Sequence, residues 1–387
     1  MKVVKKLGLL PIKLWLDDIE DGALTQAMHL AELPFAFSHI AIMPDAHQGY
    51  GMPIGGVMAT EDVIVPNAVG VDIGCGMCAG KTSFPVMQIP SGGVKAIMNA
   101  IRRVVPVGFK SHSKNQLGMP TDMLGQNSIV NHQISKACKS LGTLGGGNHF
   151  IELQTDEEGF LWVMIHSGSR NLGYQVAKYY NDLAKEMNRK WFSRVQTGWD
   201  LAFLPLDSHQ AQSYIDEMNY CIKYALANRM KMMERVRDCI SDVLGAFHYE
   251  NPINIAHNYA RLENHYGRNV MIHRKGATSA KKGELGVIPG SQGTASYIVR
   301  GLGNPDSFMS CSHGAGRKMG RKQATRELCL AEQIAILNDQ GIVHGIRTSK
   351  DLDEAPGAYK DIDVVMENQK DLVEIVTKLR PIAVIKG

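Results

Sequence analysis

Short apolar runs punctuated by Gly and Pro alternate with amphipathic stretches, and no regular strand–helix–strand period links them. Together with one long uninterrupted amphipathic segment at 210–245, this predicts an α+β fold, with mixed sheets surrounded by helices rather than a doubly wound parallel sheet. In the first third, HIAIMP (39–44), GGVMA (55–59) and DVIVPNAVGVDIGCGM (62–77) read as short buried strands joined by tight turns. Residues 91–105 and 126–140 carry helical spacing, and GFLWVMIHSG (159–168) is a strand running into a turn. Residues 210–245 hold no Gly or Pro until Gly245 and predict one long helix or two in line. Strands return at 269–276, 283–290 and 294–301. Helices are predicted over 317–338 and 362–379, and a short strand, PIAVIKG, closes the chain.

The 387 residues have room for two or three domains at roughly 100–200 residues each. No repeat, Ser/Pro linker or charge block marks a boundary. Hydrophobic residues at 44% and charged residues at 21% exclude a wholly disordered chain. No run reaches the ~18 apolar residues of a membrane helix. The N-terminal apolar stretch is broken early by Pro11 and Lys13, unlike a secretion signal. Seven scattered cysteines disfavour a disulfide framework. A cytoplasmic protein is expected. The net charge of +4 gives only a mild bias toward polyanions. The 39 glycines, without a collagen period, point to tight turns and close backbone approach to a ligand.

Chemistry-bearing residues gather in a few Gly-rich segments. MPDAHQGYG places Asp45 and His47 at i and i+2, which share a face of a strand; an Asx-type turn with a structural histidine is the plainer reading. In GVDIGCGMC, Asp72 and Cys75 are three apart on a Gly-rich turn and can reach one cation. Cys78 is read as a small core residue, because no second CxxC exists to close a zinc site. LGTLGGGNHFIE lets backbone approach a ligand and then supplies Asn148, His149 and Glu152; Phe150 offers a stacking face or core packing. MIHSGSRNLG sets His166 at a strand end, followed by Ser167, Ser169 and Arg170, groups suited to phosphate. NIAHNYA adds His257 and Asn258. Finally SCSHGAGRKMGRKQATR holds His313 between Ser312 and Gly314. Arg317, Lys318, Arg321, Lys322 and Arg326 follow it, either a polyanion-binding stripe or the solvated face of a helix.

Asp72, Cys75, His149, His166 and His257 form a mixed N/O/S ligand set. Five candidates exceed one tetrahedral zinc and suit two metals sharing a thiolate or carboxylate bridge. His313 is left as acid, base or nucleophile. The sum is a metal-dependent phosphoryl or nucleotidyl transferase.

PDAHQG, GVDIGCGM, GGGNHFIE, HSGSR, the His257–Asn258 pair, HRKGAT, PGSxG, SYxVxG, SHGAGR and the closing IKG occur in an order that resembles the RtcB family of RNA ligases over nearly the whole chain. The resemblance implies an RtcB-like fold acting as one catalytic domain, residues 1–387. It implies joining of an RNA 3′-phosphate or 2′,3′-cyclic phosphate to a 5′-hydroxyl with GTP and two Mn²⁺ ions, in RNA repair or tRNA splicing, with an archease-type activator as a possible partner. By motif, Asp72, Cys75, His149, His166 and His257 would ligate Mn²⁺, Cys75 would bridge, and His313 would become guanylylated. Asn148, His149, Phe150, Ile151, Glu152, His257, Asn258, Pro289, Gly290, Ser291, Gln292, Ser296, His313, Gly314, Ala315, Gly316 and Lys386 would form the GTP shell, with Phe150 and Lys386 at the guanine. Asp45 would assist near the metals. Gln292 departs from the usual Met of PGSMG, and Ala46 varies within PDxHxG. The competing reading is a di-metal RNA phosphoesterase or nuclease that forms no covalent nucleotide.

Overall fold

The computed structural model describes residues 1–387 and consists of two large sheets with helices packed around them. This is the α+β architecture expected. One sheet has six strands, in the order Val3–Lys5, Ile12–Leu14, Ala36–Tyr50, Met52–Thr60, Arg268–Lys275 and Asn258–His265; only the Ile12–Leu14/Ala36–Tyr50 pairing is parallel. The other has seven antiparallel strands, in the order Ile253–Ala256, Gly76–Pro85, Phe160–Ser167, Phe150–Thr155, Val373–Lys386, Ser296–Gly301 and Leu285–Ile288. No helix is long and apolar enough to cross a membrane.

Register brings the site together. In the seven-stranded sheet, Gly76 pairs with both Ala256 and Ser167, while Phe150 pairs with both His166 and Lys386. The residues just outside these strands, Cys75, His149 and His257, therefore reach the same end of the sheet as His166. A short ribbon of Ala277–Ser279 with Ser310–Ser312 leaves the end of the six-stranded sheet and delivers His313 to that place. Ala277 donates its amide to His257 O (3.2 Å), and His257 donates its own to Cys75 O (2.8 Å), so the two sheets are stitched at the site.

The 210–245 segment forms one helix, His209–Leu244. Ser208 caps its start by accepting from the Ala211 amide, and Gly245 ends it. Its buried Arg229 donates to Gly74 O (2.9 Å) and Ser167 O (2.8 Å), fixing the Cys75 loop and the strand end that carries His166. Gly74, at φ +79°, is required here: a Cβ would stand 2.9 Å from Ile222 Cα of this helix.

Three expected elements differ. Residues 62–77 give only a Val63–Ile64 strand and one helical turn, Pro66–Val69, before the Asp72–Cys75 loop, because Pro66 has no amide to extend a ladder. Residues 362–379 are helical only over Ile362–Asn368; Val373–Lys386 is a 14-residue strand. Its β-branched VEIVT run favours strand and is held there by pairing with Ser296–Gly301. Residues 317–338 split into Arg321–Glu327 and Leu330–Asp339, with 317–320 outside either helix, so Lys318 does not share a helical stripe with Lys322 and Arg326.

The HRKGAT strand holds a buried ion pair. Arg274 is fully buried and donates to Glu263 Oε1 (2.6 Å), Ser310 Oγ (2.9 Å) and Phe308 O (3.0 Å). Burial alone would raise the Glu263 carboxyl, but His265 and Arg274 hold it well below the usual carboxylate range. A carboxylate so depressed contributes fully above its unfolded pKa of about 4.3 and loses that contribution as the pH falls toward the folded value. Glu263→Gln strands a buried guanidinium and should cost about 3–5 kcal/mol. Urea unfolding at pH 7 checks this, and the gap between variant and wild type should narrow at pH 3.

Candidate active site

Cys75 Sγ lies 3.5 Å from His149 Nε2 and 3.3 Å from His166 Nε2, and the three donor atoms fall within 4.8 Å of one another. Asp72 joins on one side, with Oδ2 3.3 Å from His149 Nε2. His257 joins on the other, its ring centroid 5.2 Å from that of His166. Cys75 is thus in contact with both His149 and His166, with Asp72 beside His149 and His257 beside His166. The ring nitrogens facing away are occupied: His149 Nδ1 contacts Leu144 O (2.9 Å) and His166 Nδ1 contacts Asn148 O (3.1 Å). Backbone carbonyls there fix the tautomers that leave both Nε2 lone pairs aimed at the centre, the usual outer support of metal-ligating imidazoles.

The electrostatics suit a cation. Burial, together with neighbouring histidines, drives His166 and His257 well below the ordinary histidine range, so both are neutral, as ligation requires. Asp72 stays below its usual value despite burial, held down by His149 and Arg170 beside it. Burial and the Asp72 charge push the Cys75 thiol up, and a divalent ion would displace that proton. The buried thiol and two imidazoles of Cys75, His149 and His166, with Asp72 and His257 beside them, fit a metal centre. Cys78, three residues on, lies in the apolar core.

His313 stands beside this cluster, its ring centroid 4.8 Å from that of His257. Its Nδ1 is 2.6 Å from Asp45 Oδ2, and the same oxygen accepts the His313 and Gly314 amides (3.1 and 3.2 Å). Asp45 is fully buried. Burial would raise its carboxyl, but His313 and His47 hold it down. Asp45, expected to assist near the metals, lies against His313. Gly316, at φ +74°, packs against the Asp45 backbone with no room for a Cβ. Gly316→Ala should displace Asp45 from His313 and lower catalysis by about 10²-fold, the scale of a ~1 Å misplacement. Metal content, read by elemental analysis, should stay at the wild-type value.

A third group lies past His149. Lys386 Nζ is 5.6 Å from the Phe150 ring centroid. Burial lowers the lysine, and burial raises Glu152 to about 8 despite the nearby Lys386 charge. Gln154 Nε2 donates to Glu152 Oε2 (2.7 Å) and Ser296 Oγ (3.1 Å), and Ser296 Oγ also accepts the Gly290 amide (3.1 Å). Gly147, Gln292, Glu354 and Lys386 border one cavity of about 320 Å³. Gln292 donates to Glu354 O (2.7 Å), and the Ser291 amide donates to Thr294 Oγ1. Asn258 donates to Asp72 O (3.1 Å) and accepts the Gly276 amide (2.8 Å). Ile151 faces the core and Ala315 is buried, so only their main chain can serve a ligand.

Two basic residues assigned to an exposed stripe are paired instead. Arg317 donates to Glu354 Oε2 (3.0 Å) and Asp353 O (2.6 Å), and Arg321 Nε lies 2.9 Å from Glu354 Oε1. Glu354 is the residue that sequence reasoning missed: it lies in SKDLDEAP, with no motif to mark it. Lys360, which donates to Ala46 O (2.5 Å) behind Asp45, was equally unmarked.

Fold and site together present an α+β protein with a buried Cys/His cluster suited to a metal ion. The model of the family described as tRNA-splicing ligase RtcB matches residues 26–126 and 122–387. The chain belongs to the RtcB family of RNA ligases. It is 38% identical to RNA-splicing ligase RtcB1 of Escherichia coli, with 97% of each chain covered. It is 32% identical to tRNA-splicing ligase RtcB of Nanoarchaeum equitans, covering 95% of this chain and 92% of that one, and 31% identical to RNA-splicing ligase RtcB of Mycobacterium tuberculosis, covering 94% and 100%.

Proposed function

We propose that the protein joins an RNA 3′-phosphate or 2′,3′-cyclic phosphate to a 5′-hydroxyl through a guanylylated His313, in RNA repair or tRNA splicing. The observation that carries this reading is His313 held by Asp45 at the edge of the Cys75 cluster. A hydrolase needs no such positioned nucleophile. With Asp45 at Nδ1, the proton stays on that nitrogen and the Nε2 lone pair is free to attack. Nε2 forms a bond to the α-phosphorus of GTP and pyrophosphate leaves. An oxygen of the RNA 3′-phosphate then takes the GMP from His313, breaking the N–P bond. The 5′-hydroxyl finally attacks the RNA phosphorus and GMP departs. A cyclic phosphate must first be opened by water.

Two Mn²⁺ ions, one at Asp72, Cys75 and His149 and one at Cys75, His166 and His257, would neutralise phosphate charge during these attacks. The guanosine shell is assigned to Asn148–Glu152, His257, Asn258, Pro289–Gln292, Ser296, His313–Gly316 and Lys386. Lys386 and a Glu152 carboxyl raised toward neutrality offer donors and acceptors to a base edge beside the Phe150 ring. Because the assigned residues run from Asp45 to Lys386, residues 1–387 are read as one catalytic unit. A cytoplasmic location and an archease-type activator complete the reading.

Incubation with α-labelled GTP and Mn²⁺ tests it. Label should survive denaturation and be lost in acid, as a phosphoramidate is. Absence of label would leave the di-metal phosphoesterase as the better account.

A further inference from the structure

The helix Leu172–Lys190 starts beside the cluster, where the Ser169 hydroxyl donates to Asp72, and ends about 28 Å away by its rise. Its far end closes as a Schellman turn: the Ser193 amide donates to Asn188 O (2.9 Å) and the Phe192 amide to Arg189 O (3.2 Å). The left-handed residue of that turn is ordinarily glycine, because a Cβ is disfavoured there. Here it is Phe192, at φ +53°. Phe308 also has a left-handed backbone, but its ring is fully buried and packing offsets the strain; Phe192 is 92% exposed and gains nothing from the fold. Strain held without compensation points to a use outside the folded chain.

The surroundings indicate what that use is. Phe192 borders a cavity of about 230 Å³ together with Lys185, Asn188, Arg189, Thr197 and Asp200. Asp200, its only carboxylate, is paired with Lys185. Arg189 and Arg194 have no carboxylate partner, and Trp191 beside them is 46% exposed. A series of contacts connects the cavity to the nucleophile. Asp200 accepts from Asn67 Nδ2 (2.8 Å), and Asn67 O accepts from Lys275 Nζ (3.0 Å), which also donates to Tyr50 O (2.5 Å). The next residue, Gly276, lies against His313, where a Cβ would be 3.1 Å from Cε1. Tyr50, 75% exposed, stands along this line.

We propose that Phe192 and the guanidinium groups of Arg189 and Arg194 form a second contact surface for single-stranded RNA, with a base stacked on Phe192 and phosphates on the arginines, several nucleotides from the end being joined. Exposed aromatics interleaved with unpaired cations are the arrangement that holds single strands without reading sequence. The proposal rests on the RNA ligase reading only for the identity of the end at His313.

The test uses the full-length protein, a 3′-phosphorylated RNA of about 20 nucleotides and one of about four, near the lower limit of a single-strand site. Phe192→Gly should weaken binding of the long RNA about tenfold, the scale of one lost stacked base, and leave the short one unchanged. Its melting temperature should not fall, since glycine suits the left-handed turn. Arg194→Ala should lower the salt slope for the long RNA by about 0.7. Unchanged affinity of both variants for the long RNA, or an equal loss for the short one, would overturn the proposal. GTP labelling, which neither variant should alter, reports separately on the ligase reading. If wild type takes no label, that reading fails, while the length-dependent binding still decides the surface.

Discussion

His313→Ala should form no covalent guanylate and should lose end joining by a factor on the order of 10⁶, the scale seen when a covalent nucleophile is deleted. The loss should be confined to the steps that use the histidine. The cluster around Cys75 does not depend on His313 for position, because its outer nitrogens are held by Leu144 and Asn148 carbonyls. Metal content of the variant should therefore match wild type, and an RNA already carrying a 3′ guanylyl cap should still be sealed. Asp45→Asn is the milder companion: it keeps the shape, loses the charge that holds Nδ1 protonated, and should cost about 10⁴-fold, as amidation of an orienting aspartate does elsewhere. Denaturing gels after incubation with labelled GTP, and sealing assays with capped RNA, read both. A His313→Ala protein that still takes up label would remove the histidine from the chemistry.

The second large effect is expected at Cys75. Its sulfur is within 3.5 Å of both His149 and His166, so it belongs to both halves of the cluster. Cys75→Ser keeps the size of the side chain but replaces a displaceable thiol proton with a hydroxyl that ionises far less readily. Loss of outer-sphere support alone commonly costs about 10–100-fold in metal affinity, and loss of a shared ligand should exceed that. Bound manganese should fall below one ion per chain, and guanylylation should fall with it. The metal-free fold should be preserved, because Arg229 and the His257 amide hold this loop through backbone oxygens rather than through the sulfur. Elemental analysis with thermal unfolding distinguishes this from misfolding. A variant that retains two ions would break the shared-ligand arrangement.

Much of the site was legible because its chemistry is local. Asp72 and Cys75 share one Gly-rich turn, and His149 and His166 each sit at the end of an apolar strand. Their convergence depends on register between strands far apart in sequence, such as Met77 with His166, and periodicity cannot supply that. Asp45 shows the same limit: PDAHQG places it on one strand face with His47, but only the meeting of two sheets brings it to His313. Arg317 and Arg321 looked like free cations because their partner, Glu354, comes from a segment with no signature. The strand Val373–Lys386 was half hidden because 362–379 reads with helical spacing through a helix that ends at Asn368. Tertiary pairing overrode local pattern there.

Following one phosphate through the reaction tests the account most directly. An RNA with a labelled 3′-terminal phosphate is incubated with a 5′-hydroxyl RNA, GTP and Mn²⁺, and the products are digested to nucleotides. The mechanism through His313 predicts that the label enters the new junction as a 3′,5′-phosphodiester, that joining requires GTP, and that one GMP is released per junction. Label recovered as inorganic phosphate, or joining that proceeds without GTP, would contradict it.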